Sequence, residues 1–300
     1  MNSIDLDAAR RARAVLIAGP TASGKSALAL ELAERLGGTV VNADSMQVYD
    51  GLRILTARPG REEEARVPHA LYGHVDPARR YSVAQWREDL AALLQSLRTE
   101  GRPPVVVGGT GLYFMALTEG LAAVPPIDPA IRDAVAARAA EEPLAALHAA
   151  LAARDPEGAA RIRPTDRTRV LRALEVVEAT GRPLAAWHAE AGAAPLVAPA
   201  EAFRLVLDPP RDLLYRRIGD RFAAMLEAGA LGEVEAFLAR GLDAELPAMK
   251  AVGLRELGLA LAGGIGIEEA AARAAMETRR YAKRQGTWLR NRMADWPRLR

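Results

Sequence analysis

The fold class predicted by this sequence is α/β: a parallel sheet core carrying an inserted all-helical domain. Three observations predict it. Short apolar runs recur, each closed by a turn and followed by a helix-period segment. From about residue 121 the texture changes, because Pro125-Pro126 break the chain and nearly every segment to about 198 is Ala-rich and helical in period. Finally, 300 residues, 50% of them hydrophobic and 26% charged, suffice for two domains with a sizeable core. The predicted division is 1–120 and 199–300 for the core and 121–198 for the insertion.

The elements follow in order. AVLIA at 14–18, ended by Gly19-Pro20, reads as a buried strand. Ser26 to Leu36 supplies a helix through Leu28, Leu32 and Leu36, and Gly37-Gly38 stop it. Thr39 to Asn42 is a second strand. Residues 50–82, rich in Arg, Pro, Gly and Glu, are expected to be surface loops. Val83 to Arg98 returns to helical spacing, and Val105 to Val107 forms a third strand before the turn GGTG at 108–111. Gly192 to Pro199 reads as the return linker from the insertion. Phe203 to Leu207 is a strand expected to rejoin the first sheet. Helices are expected over Arg211 to Glu227, Leu231 to Ala239, Leu254 to Leu261 and Ile267 to Leu289.

Composition excludes several chemistries. With no cysteine there are no disulfides, thiolate metal sites or cysteine nucleophiles, and the 4 histidines are scattered. No apolar stretch approaches the roughly 18 residues that a membrane span needs, so the expected location is the cytoplasm, with no membrane partner. The formal net charge is +2, but it is unevenly placed. Arg279, Arg280, Lys283, Arg284, Arg290, Arg292, Arg298 and Arg300 stand against Asp295 alone. A second basic run holds Arg161, Arg163, Arg167, Arg169 and Arg172 against Asp166. Two such patches suggest a polyanion site. The chain also writes Arg almost by default, with lysine only at 25, 250 and 283, so a compact ammonium at Lys25 is notable.

Residues 19–26, GPTASGKS, match the phosphate-loop pattern between a strand and a helix, which makes the predicted core P-loop NTPase-like. The physics fits this assignment. In Gly19-Pro20-Thr21-Ala22-Ser23-Gly24 the glycines let the backbone amides wrap a diphosphate, the helix N-terminus adds its positive end, Lys25 neutralises charge and Ser26 can hold Mg²⁺. Phosphate-loop ATPases usually hold their metal with an acid after another apolar strand. Here Val105 to Val107 ends in GGTG instead, and the acid is Asp44 in NADSMQVY at 42–49, within reach of the loop if the first two strands lie close. Taken alone, Asp44 fits a metal ligand, a general base or a helix N-cap.

Together GPTASGKS (19–26), NADSMQVY (42–49), ILTARP (54–59), GGTGLYF (108–114) and AKRQGTWLR (282–290) resemble the tRNA dimethylallyltransferase family, in family order and across nearly the whole chain. The resemblance implies transfer of a dimethylallyl group from dimethylallyl diphosphate to N6 of the adenosine 3′-adjacent to the anticodon, releasing diphosphate with Mg²⁺ present. It implies that the phosphate loop holds the prenyl donor, so ATP need not be involved. Asp44 becomes the general base, because the lone pair of an adenine amino group is delocalised into the ring and attacks carbon poorly until an acceptor takes its proton. Lys25, Mg²⁺ on Ser26, Thr110 and Arg217 are implied as stabilisers of the leaving diphosphate, Arg217 lying in DLLYRRIGDRF at 212–222.

The buried adenine must be extruded from its stack, so an RNA surface should surround the site. The resemblance assigns to the tRNA anticodon stem-loop Asp44, Ser45, Met46 and Gln47, together with Thr110 and Arg132. It adds Thr168, Arg169, Val170, Leu171 and Arg172; Lys250, Ala251, Val252, Gly253, Leu254 and Arg255; and Lys283, Arg284, Gln285 and Arg290. Trp288 fits either base stacking or a core position. Three residues depart from the usual family pattern: Thr168 for Gln, Leu254 for Tyr and Arg58 for Lys. No Cys/His extension follows Arg300, so the chain resembles the short bacterial form, and a monomer is expected. The competing readings are a prenyltransferase of free adenine nucleotides, a phosphate-loop kinase of small molecules and a non-catalytic RNA-binding module.

Overall fold

The computed structural model describes residues 4–190 and 192–300. Its strands are β1 (Ala14–Ala18), β2 (Thr39–Asn42), β3 (His69–Ala70), β4 (Pro104–Gly108), β5 (Ala202–Leu207) and β6 (Arg298–Leu299). They form one sheet in the order β3-β2-β4-β1-β5-β6, every pairing parallel. β1 has strands on both sides and helices over both faces, which is why all five of its residues are apolar and fully buried. Its alternate side chains serve two cores: Leu16 joins Val41, Trp86 and Val106 on one face, and Ile17 joins Leu32, Val40 and Val107 on the other.

The chain divides into two compact units. The first comprises everything up to Thr118 with Leu196–Arg300, and the second is Glu119–Pro195. Besides the sheet, the first unit holds α1 (Leu6–Arg11), α2 (Lys25–Leu36), α3 (Arg61–Arg66), α4 (Val83–Glu100) and α5 (Gly111–Thr118). The second is helical, with α6 (Pro129–Glu141), α7 (Leu144–Arg154), α8 (Pro156–Arg161), α9 (Arg167–Thr180) and α10 (Leu184–Ala189). It has its own core of Leu147, Leu151, Val170, Leu174 and Val177. Back in the first unit follow α11 (Arg211–Glu227), α12 (Ala230–Leu238), α13 (Leu254–Leu261) and α14 (Ile267–Arg292). Among the described residues no helix is long and apolar enough to cross a membrane.

Local chemistry explains the boundaries that position the site. α2 starts at Gly24, whose φ of 95° lies in the left-handed region that a phosphate loop needs at its turn into the helix. α4 opens with a capping box in which Ser82 accepts from the Gln85 amide and Gln85 accepts from the Ser82 amide. Its Trp86 is fully buried and donates from Nε1 to Asn42 O at 2.9 Å, so the helix is pinned to the end of β2.

The structure corrects several expectations. Residues 50–82 are not merely surface loop: they carry α3 and β3, and Leu52, Leu55, Val67 and Val75 are buried. Those apolar residues lack any period, so only tertiary packing reveals them. β2 does not adjoin β1, because β4 lies between them. Part of the supposed return linker is core: Val197 is buried, and the Leu196 and Val197 amides both donate to Leu117 O. β6 is only two residues long and gives no pattern in sequence. Its Arg298, counted within the basic terminus, is tied to Asp208 and to the carbonyls of Leu289 and Met293.

Candidate active site

A parallel sheet delivers all its carboxyl ends to one edge, and in this fold the motifs lie there. Gly19 follows β1, Asp44 follows β2 and the GGTG turn contains the end of β4. The turn is joined to its neighbours by backbone hydrogen bonds: Gly19 N to Gly108 O, Ala43 N to Val107 O and Thr110 N to Ala43 O. Thr110 Oγ1 accepts from the Ser45 amide at 3.0 Å and lies 3.3 Å from Ser45 Oγ. The phosphate loop, the Asp44 segment and the GGTG turn are therefore one connected unit.

Asp44 is held from behind by Asn42, which is fully buried. Asn42 Oδ1 accepts from the Asp44 amide at 2.8 Å, while its Nδ2 donates to Asp44 O and to Leu71 O, each at 3.0 Å. Asp44 Oδ1 accepts from the Met46 amide at 2.9 Å. The carboxylate is thus oriented by a local turn, the side-chain to backbone bond that favours Asp in such places.

Two cations lie within the field of Asp44. Lys25 donates from Nζ to Pro20 O at 3.3 Å, and its pKa falls to about 8, chiefly because burial disfavours the ammonium. The Asp44 charge opposes that fall and Arg221 adds to it. Arg221 Nη2 donates to Thr21 Oγ1 at 2.5 Å; burial lowers its pKa and Asp44 counters. Tyr72, Tyr113 and Tyr281 all have phenols raised above the usual value, first by burial and next by the charge of Asp44. Thr21, Asp44, Arg221 and Tyr281 line one cavity, whose remaining wall includes Met46, Leu55, Ile218, Phe222, Met225 and Val252. Its lining combines charged and polar groups with apolar side chains.

A family model described as IPP transferase matches residues 47–292, and one described as isopentenyl transferase matches residues 12–69. A tRNA dimethylallyltransferase of Bradyrhizobium sp. (strain ORS 278) is 57% identical over 284 residues, covering 95% of this chain and 92% of that protein. The chain belongs to the tRNA dimethylallyltransferase family. Among solved structures, the full-length tRNA isopentenylpyrophosphate transferase from Bacillus halodurans superposes with a TM-score of 0.67 at 36% identity, covering 95% of this chain and 88% of that one. A eukaryotic dimethylallyltransferase acting on tRNA gives a TM-score of 0.76 at 27% identity, over 92% of this chain and 69% of that one.

Within this member of the family the residues singled out from sequence separate into groups. Asp44, Thr110 and the phosphate loop meet at the sheet edge. Arg217 does not line the cavity: it is exposed, and its Nη1 donates to Ser23 O at 3.2 Å, bracing the loop from outside. One helical turn later on α11, Arg221 enters the cavity instead. Ser26 is exposed in the first turn of α2.

Among the segments assigned to tRNA, the exposed side chains are Thr168, Arg169 and Arg172 on α9, Lys250 and Arg255, and Lys283, Arg284 and Arg290 on α14, with Arg132 on α6 partly exposed. The others are buried, engaged within the protein, or line the cavity. Val170 is in the core of the helical unit, while Ala251, Gly253 and Leu254 are buried around the start of α13. Leu171 packs against the helical core, and Met46 and Val252 line the cavity. Gln47 Nε2 is taken up by Thr56 O and Ala57 O, both at 2.8 Å. Gln285 is 7% exposed with both ends of its amide bonded. A continuous basic segment on a helix turns each successive residue by about 100°, so only some of its residues face water. Arg58 points inward, with Nη1 donating to Tyr49 O and Asp50 at 3.2 Å.

Sequence reasoning missed Arg221, Asn42 and Tyr281. For Arg221 a signal existed, since it stands four residues after Arg217 on one helix face. For Asn42 a local signal existed too, an Asn two residues before Asp44 whose side chain can bond that residue's backbone; for Tyr281 none did, because the cavity it lines is assembled from segments distant in sequence.

Proposed function

We propose that this chain transfers a dimethylallyl group from dimethylallyl diphosphate to N6 of the adenosine 3′-adjacent to the anticodon of tRNA. The observation that carries the reading is the placement of Asp44 beside Lys25, Arg221 and an apolar wall at the mouth of a phosphate loop, in a chain 57% identical to a tRNA dimethylallyltransferase. The diphosphate lies on the loop amides, with Lys25 and Arg221 on its charge. Ser23 Oγ, buried with no hydrogen-bond partner, gains one from a diphosphate oxygen. The prenyl chain lies along Met46, Leu55, Phe222 and Met225.

In the reaction the N6 lone pair attacks C1 of the donor as the C–O bond to diphosphate breaks, and the N6 proton passes to the Asp44 carboxylate. The negative charge growing on the leaving oxygen meets cations already in place, which lowers the barrier without reorganisation. The residues fit a Mg²⁺ ion of the kind that keeps several waters and substrate phosphate oxygens, with Ser26 Oγ as the protein ligand. When bound it neutralises diphosphate charge. The exposed cations of α14 take phosphates of the anticodon stem-loop, and those of α9 give the helical unit a basic surface of its own for tRNA. The enzyme works as a monomer in the cytoplasm, where its RNA substrate is found.

The test is incubation with Mg²⁺, dimethylallyl diphosphate and either unmodified tRNA or AMP, followed by digestion and mass spectrometry of the nucleosides. A dimethylallyl mass gain on tRNA adenosine alone is expected. Gain on AMP alone, or turnover of ATP with no prenylation, contradicts the reading.

A further inference from the structure

One face of α14 closes over two functional loops at once. Tyr281, Gln285 and Trp288 recur at helical spacing and so point the same way. Tyr281 lines the cavity that holds Asp44. Gln285 Oε1 accepts from the Thr21 amide at 2.9 Å, and its Nε2 donates to Gly109 O at 3.0 Å. The amide orientation is forced, since an N–H requires an acceptor and a carbonyl a donor. The Trp288 ring lies against Gly111, and the Gln285 amide against Gly109, so closely that a Cβ at either glycine would collide with it. On the same helix Lys283, Arg284 and Arg290 are exposed.

We propose that Gln285 is a positioning residue for the prenyl donor and does not touch RNA. It fixes the backbone of Thr21, whose hydroxyl in turn receives the guanidinium of Arg221, so the chain of hydrogen bonds runs from Gln285 through Thr21 to the cation beside Asp44. Holding Gly109 O with the same side chain locks the GGTG turn, and hence Thr110, to the phosphate loop. The inference rests on the function proposed above for its substrates, but the clamp itself is made by protein groups alone. Loss of the amide leaves a part-buried N–H and a buried carbonyl without partners, and the loop relaxes to satisfy them.

The test compares Gln285→Met, which keeps the length of the side chain but neither hydrogen bond, with Arg284→Ala, its exposed neighbour. Three quantities are measured: affinity for inorganic pyrophosphate by calorimetry, KM for dimethylallyl diphosphate at saturating tRNA, and Kd for tRNA. In Gln285→Met, pyrophosphate binding weakens and donor KM rises by about 10- to 100-fold, while tRNA Kd stays within about twofold of the parent. Arg284→Ala gives the opposite pattern. A second variant, Gly109→Ala, displaces the Gln285 amide while leaving Gln285 in the chain, and reproduces the donor defect; it decides the question if Gln285→Met does not fold. A weakened tRNA Kd with unchanged pyrophosphate affinity in either variant overturns the proposal, as does no change in both. Failure of the wild-type protein to prenylate tRNA would instead overturn the assigned reaction, and the pyrophosphate measurements would still decide the clamp.

Discussion

Arg221 donates from Nη2 to Thr21 Oγ1 at 2.5 Å, which places a part-buried guanidinium beside the phosphate loop and within the field of Asp44. Its helix neighbour Arg217 is exposed and braces the Ser23 carbonyl from outside. The two arginines share a helix face but make different contacts with the loop.

Arg221→Ala therefore loses kcat/KM by about 100-fold or more, the size of effect found when a donor to developing charge is removed. Arg217→Ala loses about 10-fold or less, because a hydrogen bond to a partly exposed carbonyl contributes only about 1 kcal/mol. Steady-state kinetics on the two variants checks the order; a larger loss in Arg217→Ala reverses the assignment.

Lys25 makes donor binding depend on pH. Its pKa of about 8 in the free protein means that the ammonium is present below that value and lost above it. A bound diphosphate favours the protonated form, so affinity is greatest below pH 8 and falls as pH rises through it. Calorimetric titration with pyrophosphate across about pH 6.5 to about pH 9.5 brackets that value and reads the effect directly, and Lys25→Met flattens the profile. An affinity that rises with pH excludes the assignment.

Asn42→Ala removes three hydrogen bonds that frame Asp44 and leaves part-buried backbone groups unpaired. A stability loss of about 2–3 kcal/mol is expected in urea unfolding, together with a lower kcat at unchanged tRNA affinity. Full activity in a destabilised Asn42→Ala protein shows that Asp44 needs no such frame.

Much of this site was legible in the sequence because its parts are contiguous. The phosphate loop is a continuous segment whose glycines and lysine state their chemistry, and AVLIA could only be a buried strand. Arg221 was hidden by the adjacent pair Arg216-Arg217, although helical spacing pointed to it. Gln285 sits between exposed Arg284 and buried Gly286 in a basic run, so its side is set by the buried stripe of Ala274, Ala282 and Leu289 rather than by its neighbours. Leu52, Leu55 and Val75 are buried by packing with no local period to announce it, and the hydrogen bonds of Asn42 span up to 44 residues.

Substituting Lys283, Arg284 and Arg290 together with Gln reduces the slope of log Kd against log salt for tRNA by about one unit for each phosphate that is no longer neutralised. Filter binding at several salt concentrations measures it. An unchanged slope moves the RNA away from this face of α14.

In the proposed reaction Asp44 takes the N6 proton while the phosphate loop and its cations hold the diphosphate. Single-turnover transfer by Asp44→Ala, measured with preformed enzyme–tRNA complex and saturating dimethylallyl diphosphate, tests this division of labour most directly. The rate is predicted to fall by about 100- to 10,000-fold with tRNA affinity retained. A rate equal to that of the parent enzyme would contradict the role of Asp44 as the base.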